Sequence, residues 1–231
     1  MAYSCAAPAT GRPWSHDEYR HDPRSGVDTF ARNFMVAAAF AGPAVMAVAL
    51  MTSPLPTTTE GEAYVRAFAA NLDAYAWSSW VFLAAFPLIL AGLLAAARVA
   101  RQGKPVLGLV GLVLAFLMMI PSASIDDTLY SALKSGVDVA TATKMYSTPA
   151  PTAIVGELFP LALIGFLLIG VAALLGKTAP TWGAIALIVG PILVPIPWIT
   201  GMSTVVAGAA WLVMAAGLGG VALGLLRRTG S

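Results

Sequence analysis

Residues 178–226 read TAPTWGAIALIVGPILVPIPWITGMSTVVAGAAWLVMAAGLGGVALGLL, and no charged side chain interrupts them between Lys177 and Arg227. A bilayer core about 30 Å thick needs about 20 apolar residues in a helix. The stretch therefore holds two spans, about Trp182–Ile199 and Val205–Leu226, reversing at Thr200-Gly201-Met202-Ser203 where glycine and small polar residues permit a turn. Only helices and closed barrels satisfy every backbone hydrogen bond in lipid, and a helix does so within a single segment. Prolines do not refute this, since transmembrane helices tolerate them as kinks; Pro43, Pro87, Pro160, Pro191 and Pro195 are read so.

Working toward the N-terminus, charges punctuate four more apolar runs: Phe34–Met51, Ala76–Ala97, Pro105–Ile120 and about Thr152–Gly176, the last carrying one acid, Glu157. The fold expected is all-α: a polytopic transmembrane bundle of six spans. Residues 1–28 are polar and rich in proline and glycine, and read as a flexible cytoplasmic tail without a signal peptide's apolar segment. Residues 29–228 read as one six-helix domain. The composition agrees, with 58% hydrophobic and 10% charged residues against roughly 25% charged in soluble domains. Its Ala/Gly/Val/Leu bias suits a high-GC bacterium.

Six spans place both termini on one side. Arg12, Arg20, Arg24, Arg32, Arg98, Arg101, Lys104, Lys177, Arg227 and Arg228 fall on that side, and only Arg66, Lys134 and Lys144 on the other. The positive-inside rule then puts both termini in the cytoplasm of a bacterial inner (plasma) membrane. Trp77, Trp80 and Trp182 suit interfacial belts.

Two outer connections are long. In residues 57–75, Thr57 with Glu60 and Thr59 with Glu62 match capping boxes, and Tyr64, Val65, Phe68, Leu72 and Tyr75 recur at helical spacing. This predicts an amphipathic helix on the outer surface or extending the second span. In residues 121–151, Ile125, Leu129 and Leu133 line one face of a second short helix, with Ser124 and Asp127 at its start and Gly136 at its end. The remainder to Pro151 reads as loop. Such segments serve as a lid or simply fill the interface, and the second reading is the better supported.

The chain also repeats itself. Phe86-Pro87-Leu88-Ile89-Leu90-Ala91-Gly92 matches Phe159-Pro160-Leu161-Ala162-Leu163-Ile164-Gly165, and Gly103-Lys104 matches Gly176-Lys177 at the same offset of 73. Trp211 precedes Gly217 as Phe86 precedes Gly92. Three parallel helical hairpins (spans 1–2, 3–4 and 5–6) are the implied arrangement. Gly220 and Gly224 make a small-xxx-small match, read as packing within the bundle.

Candidates for chemistry are few. Glu157, in the outer third of the fourth span, is an expensive charge and a candidate acid or proton carrier. Asp126 and Asp127 stand on the same outer side and, with Tyr130, form an acidic vestibule or a dipole-stabilised first turn. Trp80, Phe86, Tyr130, Phe159, Trp198 and Trp211 are the candidate walls of an apolar pocket, with ordinary packing as the plainer alternative. His16 and His21, five apart in the tail, fit no metal-ligand spacing, and Cys5 is the only cysteine. No P-loop, zinc-protease, nucleophile-elbow or dinucleotide motif is present, so no metal or cofactor is expected. A net charge of +2 points away from nucleic acid. Three roles follow in order of preference. The first is a non-enzymatic accessory or small-ligand-binding component, whose partners are the bilayer, a membrane protein or a lipophilic small molecule. The second is a proton-linked transporter using Glu157. The third is a membrane-embedded enzyme acting on an isoprenoid-like substrate.

Overall fold

A computed structural model describes residues 26–55, 61–119, 125–148 and 158–227. Among these residues the chain is all-helical, with no strand. Five helices are long and apolar enough to cross a membrane: α1 (Gly26–Thr52), α3 (Leu72–Gly103), α7 (Phe159–Gly176), α8 (Thr181–Leu193) continued by α9 (Ile196–Thr200), and α10 (Thr204–Ala222) continued by a 3-10 turn to Leu225. A sixth apolar helix, α4 (Pro105–Phe116), is extended by a 3-10 turn to Met119. At 1.5 Å per residue its described part is roughly 22 Å long, less than a bilayer core. Three short helices complete the set: α2 (Gly61–Ala69), α5 (Ile125–Lys134) and α6 (Val139–Tyr146).

The long helices extend beyond their apolar runs. The first begins at Gly26 instead of Phe34, and α3 starts at Leu72, absorbing Tyr75. The stretch expected to form one amphipathic helix over 57–75 is broken at Ala70 and Asn71, where the Asn71 side chain bonds back to the Ala67 carbonyl. An asparagine amide competes in this way with the backbone ladder. The proposed capping threonines Thr57 and Thr59 lie outside the described residues, as do Ser124 and Pro151.

Proline positions differ from the expectation of kinks throughout. Pro43, Pro87 and Pro191 lie inside helices, but Pro160 stands in the first turn of α7 and Pro195 in the break between α8 and α9. A first-turn proline lacks an N–H that would have had no partner anyway.

Helix packing follows one scheme three times. The first helix of each sequential pair packs on its own second helix and on the second helix of another pair. Thus α1 lies on α3 and α10, α4 on α7 and α3, and α8 on α10 and α7. The second helices α3, α7 and α10 also meet one another. Glycine sets the contact within each pair. A Cβ on Gly92 would stand 2.5 Å from the Ala39 Cα, and one on Gly217 would stand 2.5 Å from the Leu187 nitrogen. A Cβ on Gly165 would strike the Ala115 nitrogen. These are the glycines that the sequence repeat aligns. In apolar solvent no hydrophobic force drives helices together, so close backbone approach through small residues supplies the packing.

The bundle centre holds Phe166, Ile169, Leu187, Met214 and Leu218, all fully buried. Large apolar side chains also face outward, Ile199 at 80% exposure and Val113 at 60%. An outer surface of this kind is costly in water and neutral in lipid.

Candidate functional site

The three short helices build a head at one end of the bundle, where α1 ends and α3 begins. It has an apolar centre of its own, separate from the bundle core: Val65 and Phe68 from α2, Tyr75 from α3, Leu129 from α5 and Ala142 from α6. Val65, Phe68 and Ala142 are fully buried. Rings stack around this centre, with Phe68 4.4 Å from Tyr75, Tyr64 5.1 Å from Tyr146, and Tyr75 5.8 Å from Tyr130, centroid to centroid. Offset and tilted pairs at such distances each add about 0.5–1.5 kcal/mol beyond their buried area.

Local sequence explains the elements. The α5 helix opens with Asp126 and Asp127, favoured at the positive end of the helix dipole, and closes at Gly136 with φ +88°. The segment after Gly136, expected to be loop, instead forms α6. Its N-cap is Asp138, whose carboxylate accepts from the Thr141 backbone N–H at 3.0 Å and from the Thr141 hydroxyl at 2.8 Å. These bonds to the charged form, the backbone one first, hold the Asp138 pKa below the usual carboxylate range. An aspartate before Val139-Ala140-Thr141 was the available signal.

Two tyrosine hydroxyls tie α5 to its neighbours by hydrogen bonds. The Tyr64 hydroxyl donates to Asp126 Oδ1 at 2.8 Å, and the Tyr75 hydroxyl donates to Asp127 Oδ1 at 3.1 Å. Burial raises the Asp126 pKa above its ordinary value, and the neighbouring Asp127 charge adds to this, while the Tyr64 bond works the other way. Burial also pushes the Tyr64 hydroxyl up, so it remains a proton donor. Exposed ion pairs lie outside the centre: Arg66 with Glu62 at 3.0 Å, and Lys134 with Asp73 at 3.3 Å. Such pairs contribute little.

The candidate residues are scattered. Glu157 lies outside the described residues. Asp126, Asp127 and Tyr130 come together in the head. Phe86 and Phe159 pack against the bundle core, and Trp211 is buried in it. Trp80 is 70% exposed and Trp198 47%, and both point away from the core. Tyr64, Tyr75 and Tyr146 join the acids although spacing along the chain gives no hint of it. The available signal was compositional, since four of the six tyrosines fall in the two long connections. Elsewhere, an apolar recess of about 300 Å³ opens between α8, α9 and α10, lined by Leu193, Pro197, Met202, Val206 and Ala210 among others. Among the described residues no three His, Cys, Asp or Glu side chains gather to hold a metal ion. No protein family, curated protein or solved structure matches this chain.

Proposed function

We propose that this chain is a non-enzymatic component of a bacterial plasma membrane, with the head as its binding end for a membrane-protein partner. In this reading it crosses the bilayer six times as three like-oriented hairpins, α1–α3, α4–α7 and α8–α10. Both termini are cytoplasmic and the head lies outside. The hairpin reading is supported by the cyclic pairing of the helices and by the equivalent contacts of Gly92, Gly165 and Gly217.

One observation carries the role of the head. It is a self-contained unit with its own apolar centre, joined by hydrogen bonds that span more than fifty residues of sequence. A connection that only linked spans would need no such centre. Partly buried Tyr130 and Tyr146 give its rim amphipathic rings, the residue type enriched in protein interfaces. The test is native mass spectrometry after extraction in mild detergent. The unmodified protein should carry a stoichiometric protein partner, and the pair Tyr130→Ala with Tyr146→Ala should lose it while the bundle stays folded by circular dichroism. A bare monomer from unmodified cells would sink the reading.

A further inference from the structure

The opposite end of the bundle has a different character. There α3, α7 and α10 finish together. Gly103 and Gly176 meet backbone to backbone, close enough that neither has room for a Cβ. Gly224 packs on the Thr178 carbonyl and on Val99, which brings the end of α10 to the same seam. The convergence gathers Arg98, Arg101, Lys104, Lys177 and Arg227, all exposed. Among the described residues none of the five has an ion pair, and Asp28 is the single acid at this end. The acids Glu62, Asp73, Asp126, Asp127 and Asp138 belong to the head end.

Two of these cations cap helix C-termini, where the dipole favours positive charge: Lys104 at the end of α3 and Lys177 at the end of α7. Lys104 also immediately precedes α4, so it stands between the negative end of one helix dipole and the positive end of the next. Lys177 adopts φ +50°, the left-handed conformation that ends α7 and turns its side chain out at the seam. Exposed apolar residues flank the cations: Val27 and Phe30 on α1, Val106 on α4 and Trp182 on α8. Cations beside exposed apolar groups match the boundary between phosphate headgroups and acyl chains.

We propose that this end is a docking surface for anionic phospholipid headgroups, centred on the Gly103–Gly176 seam and held by Arg101, Lys104 and Lys177. The inference rests on the chain spanning a bilayer but not on the role of the head. A phosphate at the seam meets three cations from two hairpins and the free N–H groups at the start of α4. It thereby clamps the second helices together at the end away from the head.

The test uses the full chain in mild detergent, titrated with phosphatidylglycerol or phosphatidylcholine and read by native mass spectrometry. Phosphatidylglycerol should bind preferentially, and each of Arg101→Gln, Lys104→Gln and Lys177→Gln should weaken it about fivefold. The pair Arg66→Gln and Lys134→Gln at the head end should leave it unchanged. The preference in the unmodified protein should also fall with added salt, a readout that needs no variant. An undiminished preference in the triple variant, an equal loss in the head-end control, salt-independent binding, or equal competition by inorganic phosphate would each overturn the proposal. A protein that needs neither detergent nor lipid would instead remove the membrane reading beneath it.

Discussion

At the scale of single residues, the informative groups are Asp126 and its tyrosine. Asp126 is an acid whose pKa is raised in the folded head, so the folded state binds a proton more tightly than the unfolded one. Between the ordinary carboxylate pKa and the raised one, stability therefore falls as pH rises. Docking of α5 should be firmest in acid and loosen as pH climbs through the raised value. Hydrogen exchange of the α5 amides, corrected for intrinsic rates, should follow that direction. Asp126→Asn should flatten the dependence and protect α5 at neutral pH, because an amide oxygen still accepts from Tyr64 without a buried charge. Tyr64→Phe removes the donor and leaves the carboxylate half-buried, at a cost of about 1–3 kcal/mol to the head. Urea unfolding followed by tyrosine fluorescence measures it.

Among the elements, α7 shows how the helices are held. Its Gly165 faces the backbone of α4 at Ala115 with no room for a side chain. Gly165→Val should push α4 away and destabilise the bundle by about 1–3 kcal/mol, seen as a lower Tm in detergent. Gly26→Ala, where nothing lies within 4 Å of the added carbon, should change little. The α6 helix depends on its cap, so Asp138→Ala should raise hydrogen exchange in Val139–Tyr146 and leave α10 untouched. The Phe-Pro-x-x-x-x-Gly repeat made the Gly92 and Gly165 contacts anticipable in kind. It did not reveal which helix each glycine would meet, because that depends on partners more than forty residues away.

For the whole molecule, the two ends carry opposite character. Acids and tyrosines collect at the head, and exposed cations collect where the second helices converge. If the positive-inside bias governs insertion, a reporter fused after Arg228 should be cytoplasmic and one placed in the 147–150 connection should be external. Reversed reporters would invert the orientation of both ends. The candidate site was only partly legible beforehand. Asp126, Asp127 and Tyr130 form a local cluster in the sequence, but Tyr64 is 62 residues from the carboxylate it serves, and its place in the helical pattern of 57–75 says nothing of that pairing. The aromatic wall drawn from Trp80, Phe86, Phe159, Trp198 and Trp211 rested on depth along each helix, which says nothing about the face a ring occupies.

The charge-free run between Lys177 and Arg227, and the apolar runs before it, settled by themselves that the chain is helical and that lipid suits its outer surface. Hydropathy and backbone hydrogen bonding are properties of composition and length, so they can be read along one dimension. Tertiary structure alone decided that α2, α5 and α6 close into a head, that Pro160 opens a helix, and that Gly103 meets Gly176. Each of these depends on which surfaces touch, and contact between segments far apart in sequence leaves no periodic trace in either of them.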